Sequence, residues 1–301
     1  MARHLLDLGD LGPQGVREVL ELCAPETGHA LQGASVAMVF EKPSARTRNS
    51  TEMAVVDLGG HPVMITDAEV GIDVRETAED VARTLGCYHG TIAARVRDHA
   101  VLERMRDAVE AQFGTVSVIN LLSDASHPCQ GLADALTILD SFPDPAGRKV
   151  AYVGDSNNVT LSLAQAALSV GMEVAIASPE GYQPDEKALA AIAPFGAVQV
   201  TADVHEAANG ASVLYTDVWT SMGQEAERTQ RLKDLAGYSI DEALLGEAAT
   251  DAIVLHCLPA HRGEEISAGA LESPQSRIWT QAAHRRTAMR GVFRWTSGAG
   301  S

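Results

Sequence analysis

Apolar and polar positions along the chain follow two alternating spacings. Runs of β-branched and apolar residues, such as residues 35–40 and 91–96, predict buried strands. Between them, apolar residues recur at helical spacing, as in residues 49–58 and 76–88. The same alternation resumes in the second half and ends in an amphipathic helix at about residues 277–295. Such alternation predicts parallel sheets with helices on both faces.

A segment rich in helix-breaking residues divides this pattern into two halves. Two prolines and a glycine lie within residues 142–149, just before a new strand. We therefore predict an α/β fold with two doubly wound parallel-sheet domains, over residues 1–145 and 146–276. The terminal helix at 277–295 is expected to pack back on the first domain.

The chain is acidic, with a formal net charge of −17. Such a charge repels nucleic acid and anionic membranes, and neither is expected as a partner. The first ten residues lack a signal-peptide pattern, and no run of about 18 apolar residues predicts a membrane helix. The cysteines form no Cys-x-x-Cys pair, which argues against disulfides or a zinc ribbon and favours a reducing cytoplasm. They are Cys23, Cys87, Cys129 and Cys257.

The first candidate site follows the first predicted strand, in residues 41–48. The free N–H groups of a helix start, together with the hydroxyls of Ser44 and Thr47, can bind an anion. Arg46 and Arg48 add charge and paired donors that suit a phosphate. A helix cap followed by solvent-facing arginines accounts for the same residues equally well.

Further polar positions lie at predicted strand ends in the first half. His127 precedes a helix that a proline is well suited to start, where its imidazole can donate to a carbonyl oxygen. Gln130, one turn later, can contact an amide. Arg95 ends an otherwise apolar strand, where a guanidinium needs an anionic partner. Taken alone, these residues are better interpreted as a helix cap and as an edge-strand arginine in water.

In the second half, residues 154–158 follow the first strand but lack the glycine fingerprint of a dinucleotide site. Asn157 and Asn158 instead offer amide groups to a small polar ligand such as an amino-acid carboxylate. Asp217 follows a later strand and can pair with an ammonium group. Ser221 and a glycine in the loop after it are typical of a loop that closes over a ligand. An Asx-turn and an acidic surface loop are the structural alternatives.

Residues 256–265 end the last predicted strand with two histidines and a cysteine. No second cluster of Cys or His completes a tetrahedral site, so no metal is expected. His256 and Cys257 are adjacent on a strand and point to opposite faces, which argues against a covalent Cys-His dyad. A buried strand end with a small cysteine is the simpler interpretation.

Together these segments resemble the ornithine carbamoyltransferase family from about residue 5 to residue 292. The family's phosphate motif, Ser-Thr-Arg-Thr-Arg, stands at residues 44–48 with Ala45 in place of the first threonine. Four more motifs are present: His-Pro-Cys-Gln at 127–130, Asp-x-Asn-Asn at 155–158, Asp-Val-Trp-x-Ser-Met-Gly-Gln-Glu at 217–225 and His-Cys-Leu-Pro-Ala-His-Arg-Gly-Glu-Glu at 256–265. The last two are long, and they separate this family from aspartate carbamoyltransferases.

The resemblance implies transfer of the carbamoyl group of carbamoyl phosphate to the δ-amine of ornithine, giving citrulline and phosphate within arginine metabolism. The attack would be direct, through a tetrahedral intermediate, with no metal and no organic cofactor. The implied catalytic residues are Arg46, His127, Asp217 and Cys257. Those implied to bind carbamoyl phosphate are Ser44, Ala45, Arg46, Thr47, Arg95, His127, Gln130, Cys257, Leu258 and Arg285. Those implied to bind ornithine are Asn158, Asp217, Ser221 and Met222.

The resemblance also implies a cis bond before Pro259 and a homotrimer, in which residues 67–76 of one copy reach the site of its neighbour. Gly71 stands where the family has a glutamine in that loop. Residues 284–287 read His-Arg-Arg-Thr in place of Asn-Arg-Leu-His. These departures concern the contact between copies, the affinity for carbamoyl phosphate and the choice of acceptor.

Three other functions compete with this one. A carbamoyltransferase for putrescine or a modified ornithine has less use for Asp217 and Ser221, which suit an amino-acid head group. A non-catalytic binding homologue has no need for Arg46, His127 and Cys257 together. A nicotinamide-dependent oxidoreductase requires the missing glycine fingerprint.

Overall fold

A computed structural model describes residues 2–24, 27–220 and 225–298 of the protein. In this part of the chain the strands are β1 Ser35–Phe40, β2 His61–Thr66, β3 Thr91–Arg95, β4 Ser117–Leu122, β5 Lys149–Val153, β6 Glu173–Ala177, β7 Val198–Thr201, β8 Val213–Thr216 and β9 Ile253–His256. The α-helices are α1 Gly12–Glu21, α2 Ala45–Asp57, α3 Asp67–Val70, α4 Ala78–Gly86, α5 His99–Gln112, α6 Pro128–Ser141, α7 Asn158–Ser169, α8 Glu186–Ile192, α9 Val204–Ala208, α10 Arg228–Asp234, α11 Glu242–Glu247, α12 Ala268–Leu271 and α13 Ile278–Ser297. No helix among these residues is long and apolar enough to cross a membrane.

Contacts divide the chain into two compact units. The first unit runs from the N-terminus to Ala133 and resumes at Ala283, and the second covers Asp134–Ala282. The chain passes from one unit to the other inside α6 and again inside α13. The domain boundary expected after residue 145 stays a prediction.

The first unit is built on a parallel sheet with the strand order β2-β1-β3-β4. Its central strands are apolar without alternation, and Val36, Val39 and Ile92 are 0% exposed. Strands that read this way are covered by helices on both faces of a sheet. Pro62 lies in β2, at the edge of the sheet, where the missing N–H costs no ladder hydrogen bond.

The second unit repeats the plan with a parallel sheet in the order β7-β6-β5-β8-β9. Its core contains two stacked tyrosines, Tyr152 and Tyr215, whose ring centroids are 6.0 Å apart. Both rings are 0% exposed. Because β8 and β9 pair with Thr216 opposite His256, the residues that follow these strands emerge side by side.

Each sheet reverses its strand order at one point, between β1 and β3 in the first unit and between β5 and β8 in the second. At the first point the register sets Phe40 beside Arg95. At the second it sets Tyr152 beside Tyr215. Doubly wound sheets bind ligands beyond the carboxyl ends of their strands at such points. Ser44 and Arg95 lie at the first of these points, and Asn158 and Asp217 follow the two strands of the second.

The predicted fold class is confirmed, and most predicted elements agree with the structure to within a few residues. β1 has the predicted bounds, and α13 differs from the predicted terminal helix by two residues or fewer. α2 begins at Ala45 because Ser44 caps it, which agrees with the helix start expected near Ser44. The short helices α9, α11 and α12 were not predicted, since four to six residues show too little periodicity.

Candidate active site

Ser44 is the first of the residues in the first unit that are predicted to bind a phosphate. Its hydroxyl accepts the Thr47 N–H at 3.3 Å, which caps α2, and donates to Thr47 Oγ1 at 3.1 Å. Arg95, at the end of β3 and 6% exposed, donates from Nη1 to the same Oγ1 at 3.4 Å. Three of the residues predicted to bind phosphate thus meet at the start of a helix.

Ala45 and Arg46 form the first turn of α2 and are exposed. The N–H groups of a first helical turn have no partner within the helix, and the helix dipole favours an anion there. Across the described ranges, no hydrogen bond or ion pair of the Arg46 side chain occurs, so its guanidinium can turn to a ligand. Arg48 is instead engaged on the surface, in an ion pair of 2.9 Å with Glu52.

Arg285 forms hydrogen bonds with His127 and Gln130, the two predicted site residues of the His-Pro-Cys-Gln motif. Its Nη1 donates to His127 Nε2 at 3.4 Å and makes a shorter hydrogen bond to Gln130 Oε1. His127 is 4% exposed, Gln130 1% and Arg285 5%. Residues predicted from two distant segments, the start of α6 and the terminal helix, therefore form one buried cluster.

The environment of His127 keeps its imidazole neutral. Burial lowers its pKa well below the ordinary value, and the nearby charges of Arg285 and Arg95 lower it further. A guanidinium has only donors, so the contact with Arg285 makes Nε2 an acceptor and leaves the ring proton on Nδ1. His127 therefore presents a neutral N–H donor in a group rich in positive charge.

In the second unit, the Cys257 thiol donates to Asp217 Oδ1 at 2.8 Å. Asp217 directly follows β8 and is 5% exposed, whereas Cys257 directly follows β9 and is half-buried. The parallel pairing of these strands brings the two side chains together. The second oxygen, Oδ2, accepts Asn157 Nδ2 at 3.2 Å.

Asn157 and the predicted ligand Asn158 occupy different positions at the start of α7. Asn157 caps α7, because its Oδ1 accepts the Val159 N–H at 2.8 Å. Asn158 is the first helical residue and is half-buried. The Asx cap considered as an alternative is thus present, and it occurs one residue before the proposed ligand.

Leu258 adopts a backbone conformation that is rare for a residue with a side chain, with φ 62, and its bond to Pro259 is cis. Its N–H donates to His256 Nδ1 at 2.8 Å, and His256 Nε2 is 3.1 Å from Glu265 Oε1. Because Nδ1 accepts, the proton of His256 lies on Nε2 and is donated to the carboxylate. His256 and Glu265 are at most 1% exposed, so this pair fixes the backbone at Leu258.

Behind this strand end lies a buried network that no sequence pattern indicated. Gln281 accepts the His256 N–H at 2.9 Å and donates to Asp134 Oδ1 at 2.7 Å. Asp134 also accepts the hydroxyl of Tyr215 at 3.1 Å. No motif connects these residues, and each one alone looks like an ordinary core or helix residue.

A second group of residues that the sequence did not indicate forms hydrogen bonds to the loop that begins at Asp217. Arg231, 6% exposed, forms an ion pair with Asp155 and donates from Nε to the Trp219 carbonyl at 2.5 Å. Burial raises the pKa of Asp155 to about 6, although Arg231 acts in the opposite direction. The predicted ligands Ser221 and Met222, further along this loop, lie outside the described residues.

Two of the three departures from the family pattern have local causes. Gly71 ends α3 with φ 56, and a Cβ there would lie 3.0 Å from Arg75 Cδ, so a glutamine would be strained. Arg286 forms a bidentate ion pair with Asp57, the last residue of α2, and lowers the pKa of that carboxyl. Neither change removes a residue from the groups described above.

Two clusters of side chains in the second unit have the ligand types and spacing of a metal site. In the first, Asp217, His256 and Cys257, both nitrogens of His256 are already hydrogen-bonded, to Leu258 N–H and to Glu265. That cluster therefore has no imidazole nitrogen to offer. The second cluster is His261, Glu264 and Glu265.

The fold and its two groups of polar residues define a class of α/β transferase: one unit has the features of a phosphate site and the other those of a site for an amine. The family models for "Aspartate/ornithine carbamoyltransferase" match both halves of the chain. The carbamoyl-P binding domain matches residues 3–140, and the Asp/Orn binding domain matches residues 146–296. The chain belongs to the aspartate/ornithine carbamoyltransferase family.

Known proteins are similar to this chain over nearly its whole length. The ornithine carbamoyltransferase of Acidothermus cellulolyticus is 47% identical, over 95% of this chain and 93% of its own. The solved structure of the Pyrococcus furiosus ornithine carbamoyltransferase is 41% identical with a TM-score of 0.90, covering 99% of this chain and 97% of its own. That of Thermus thermophilus is 39% identical with a TM-score of 0.88, covering 98% and 99%.

Proposed function

We propose that the protein transfers the carbamoyl group of carbamoyl phosphate to the δ-amine of L-ornithine, which gives L-citrulline and phosphate. The observation that carries the proposal is the buried contact of His127 Nε2 with Arg285, where burial and the charges of Arg285 and Arg95 lower the pKa of the imidazole. A neutral N–H donor among positive charges stabilises an oxyanion without giving up a proton. The similarity to ornithine carbamoyltransferases over 93% or more of their lengths supports the same activity.

For the first substrate, we assign the phosphate group to Ser44, Arg46, Thr47 and Arg95, and the N–H groups at Ala45 and the first turn of α2. Hydroxyls, guanidinium groups and free N–H groups together match the acceptor oxygens of a phosphate. Arg285 would face the leaving group. Its hydrogen bonds to His127 and Gln130 already hold its guanidinium in place.

For the carbamoyl group, we assign the oxygen to His127 and Arg46, and the NH2 to Gln130 and the Leu258 carbonyl. The donors serve the charge that develops on oxygen in the tetrahedral intermediate. Leu258 can serve as an acceptor because its backbone is held by the His256–Glu265 pair. A fixed acceptor costs less reorganisation as the reaction proceeds.

For the second substrate, we assign the α-amino-acid head group to Asn158, Asp217, Ser221 and the Met222 backbone. Cys257, hydrogen-bonded to Asp217, would lie near the δ-amine and favour its deprotonated form. The amine lone pair attacks the carbamoyl carbon, the bond from carbon to the phosphate oxygen breaks, and the released phosphate takes up the proton that the amine loses. Orientation and preorganised charge account for the rate in this scheme.

The assembly and location remain proposals. We propose a homotrimer, in which residues 67–76 of a neighbouring copy contribute to each site, as the family resemblance implies. The four cysteines are free thiols, which is usual in a reducing cytoplasm, and we propose that location.

Labelled carbamoyl phosphate tests the proposed reaction. With a 13C-carbamoyl group, ornithine and purified protein, the label should move to the ureido carbon of citrulline while one phosphate is released for each citrulline. The Asp217→Asn variant should still bind carbamoyl phosphate but form citrulline slowly. Binding of both substrates without any transfer of label would contradict the proposal and favour a non-catalytic binding protein.

A further inference from the structure

The loop after β9 contains a polar cluster to which the proposed reaction assigns no ligand role. It consists of His261, Glu264 and Glu265, whose potential ligand atoms all lie within 4.8 Å of one another. Within residues 2–24, 27–220 and 225–298, the hydrogen bonds and ion pairs of His261 and Glu264 involve no residue assigned to a substrate. The proposed reaction therefore does not explain why these three side chains lie together.

Each of the three side chains contributes one buried polar atom to this cluster. In the described part of the chain, His261 Nδ1, Glu264 Oε2 and Glu265 Oε2 are buried and have no hydrogen-bond partner. The Glu265 side chain is 0% exposed, and its Oε2 lies 3.8 Å from His261 Nδ1. A buried carboxylate oxygen without a partner is costly, by about 1–3 kcal/mol or more. The arrangement is therefore incomplete as it stands.

Two separations among these atoms fit a single metal ion, and all the potential ligand atoms of the cluster lie within 4.8 Å of one another. His261 Nδ1 is 3.9 Å from Glu264 Oε2 and 3.8 Å from Glu265 Oε2. A first-row divalent ion binds nitrogen and oxygen at about 2.0–2.2 Å, so two of its ligands are at most about 4.4 Å apart. Both separations fall below this limit.

Charge and ligand type narrow the choice of ion. Arg228 forms an ion pair with the other oxygen of Glu264. The two carboxylates of the cluster therefore have the positive charge of one guanidinium beside them. The negative charge that remains favours a cation, and a divalent ion would more than offset it. One imidazole with two carboxylates suits Mn²⁺, Fe²⁺, Co²⁺, Ni²⁺ or Zn²⁺ rather than Mg²⁺ or Ca²⁺. His261 is 40% exposed in its side chain, which gives an ion access from solvent.

We propose that His261, Glu264 and Glu265 bind one divalent first-row transition-metal ion, with water filling its other positions. The other oxygen of Glu265 accepts from His256 and from the His261 N–H. Ion binding would thus fix the loop that holds Leu258, without contact with the reacting groups. The proposal does not depend on the identity of the substrates.

Titration of the metal-free protein with Co²⁺, followed by its visible absorption and by equilibrium dialysis, tests the site. We expect one tightly bound ion for each chain and no thiolate-to-cobalt charge-transfer band. His261→Ala and Glu264→Gln should each weaken binding by more than about tenfold, since the loss of an outer-shell partner alone costs about 10–100-fold. Glu264→Gln keeps the size of the side chain, and the thermal melting of both variants without metal checks their folding.

Two matched controls distinguish binding at this cluster from binding at the nearby thiol or on the acidic surface. Cys257→Ser should leave Co²⁺ binding unchanged. Glu272→Gln removes an exposed carboxylate near the loop, one that pairs with Arg262, and should also leave binding unchanged. Absence of a bound ion would overturn the proposal. So would a thiolate band that disappears with Cys257→Ser, or an equal loss in Glu272→Gln and Glu264→Gln.

Discussion

The Cys257 thiol donates a 2.8 Å hydrogen bond to the Asp217 carboxylate, and the two residues follow adjacent parallel strands. The carboxylate is 5% exposed, and its other oxygen accepts from Asn157. An acidic group held in this way can receive an ammonium group or draw a proton from one. The proposed reaction places the amine substrate at this pair.

Asp217→Asn should act on the amine substrate alone. Loss of a hydrogen bond to a charged group costs about 1.5–3 kcal/mol, so kcat/KM for ornithine should fall by about 10–100-fold. The KM for carbamoyl phosphate should change little, because its proposed phosphate ligands are in the first unit. Steady-state kinetics with each substrate varied in turn measure both effects, and Cys257→Ser, which keeps a small donor, should lose less. An equal rise in both KM values would contradict the assignment.

His127 should stay neutral across the physiological pH range. Its pKa is lowered by burial, and by Arg285 and Arg95. A histidine that is neutral when folded destabilises the fold only as pH falls below its unfolded pKa of about 6.5, where the unfolded chain takes up a proton. 15N NMR of labelled histidine at pH 6 should show Nδ1 protonated and Nε2 bare. An imidazolium signal from His127 at pH 6 would refute this description.

Arg285→Lys should weaken the group around His127 although it keeps the charge. Arg285 Nη1 contacts both His127 Nε2 and Gln130 Oε1, and a lysine ammonium, which stands one bond closer to the backbone, does not reach both atoms from the same place. We expect kcat to fall by about tenfold or more, which is about 1.4 kcal/mol. Arg286→Lys is the matched control, since it alters an ion pair with Asp57 at the surface of α13. Similar losses in both variants would show that the effect is one of helix stability.

Asp155 should make stability depend on pH in a defined window. Burial raises its pKa from 3.8 to about 6, so between these values the folded chain holds a proton that the unfolded chain has released. The contribution of Asp155 to the unfolding free energy therefore falls as pH rises through this window, by up to about 3 kcal/mol. Denaturant unfolding of the wild type and Asp155→Asn from pH 4 to 7 measures the difference. A difference that grows with pH would mean that the ion pair with Arg231 outweighs burial.

The sequence predicted the fold for a clear reason, and the candidate site residues it indicated remain a prediction. Alternating apolar patterns indicate the parallel sheets, and the motif residues follow strand ends that such sheets bring together. Ser44, Thr47 and Arg95 meet because β1 and β3 are neighbours at a reversal of strand order.

The supporting residues could not be predicted in the same way. Gln281 and Asp134 are 147 residues apart and meet only through packing. The buried partner of Asp155, Arg231, reads in the sequence as one more charge on a short helix. Such pairs depend on tertiary distance, and no local spacing encodes them.

The most direct test of the central claim is citrulline formation by the purified protein with carbamoyl phosphate, with ornithine, putrescine, lysine and aspartate offered in parallel. We expect strong turnover with ornithine and little with the other three, because Asp217 and the loop after it suit an amino-acid head group at a fixed distance from a primary amine. Equal or faster turnover with putrescine, which has no such head group, would contradict it.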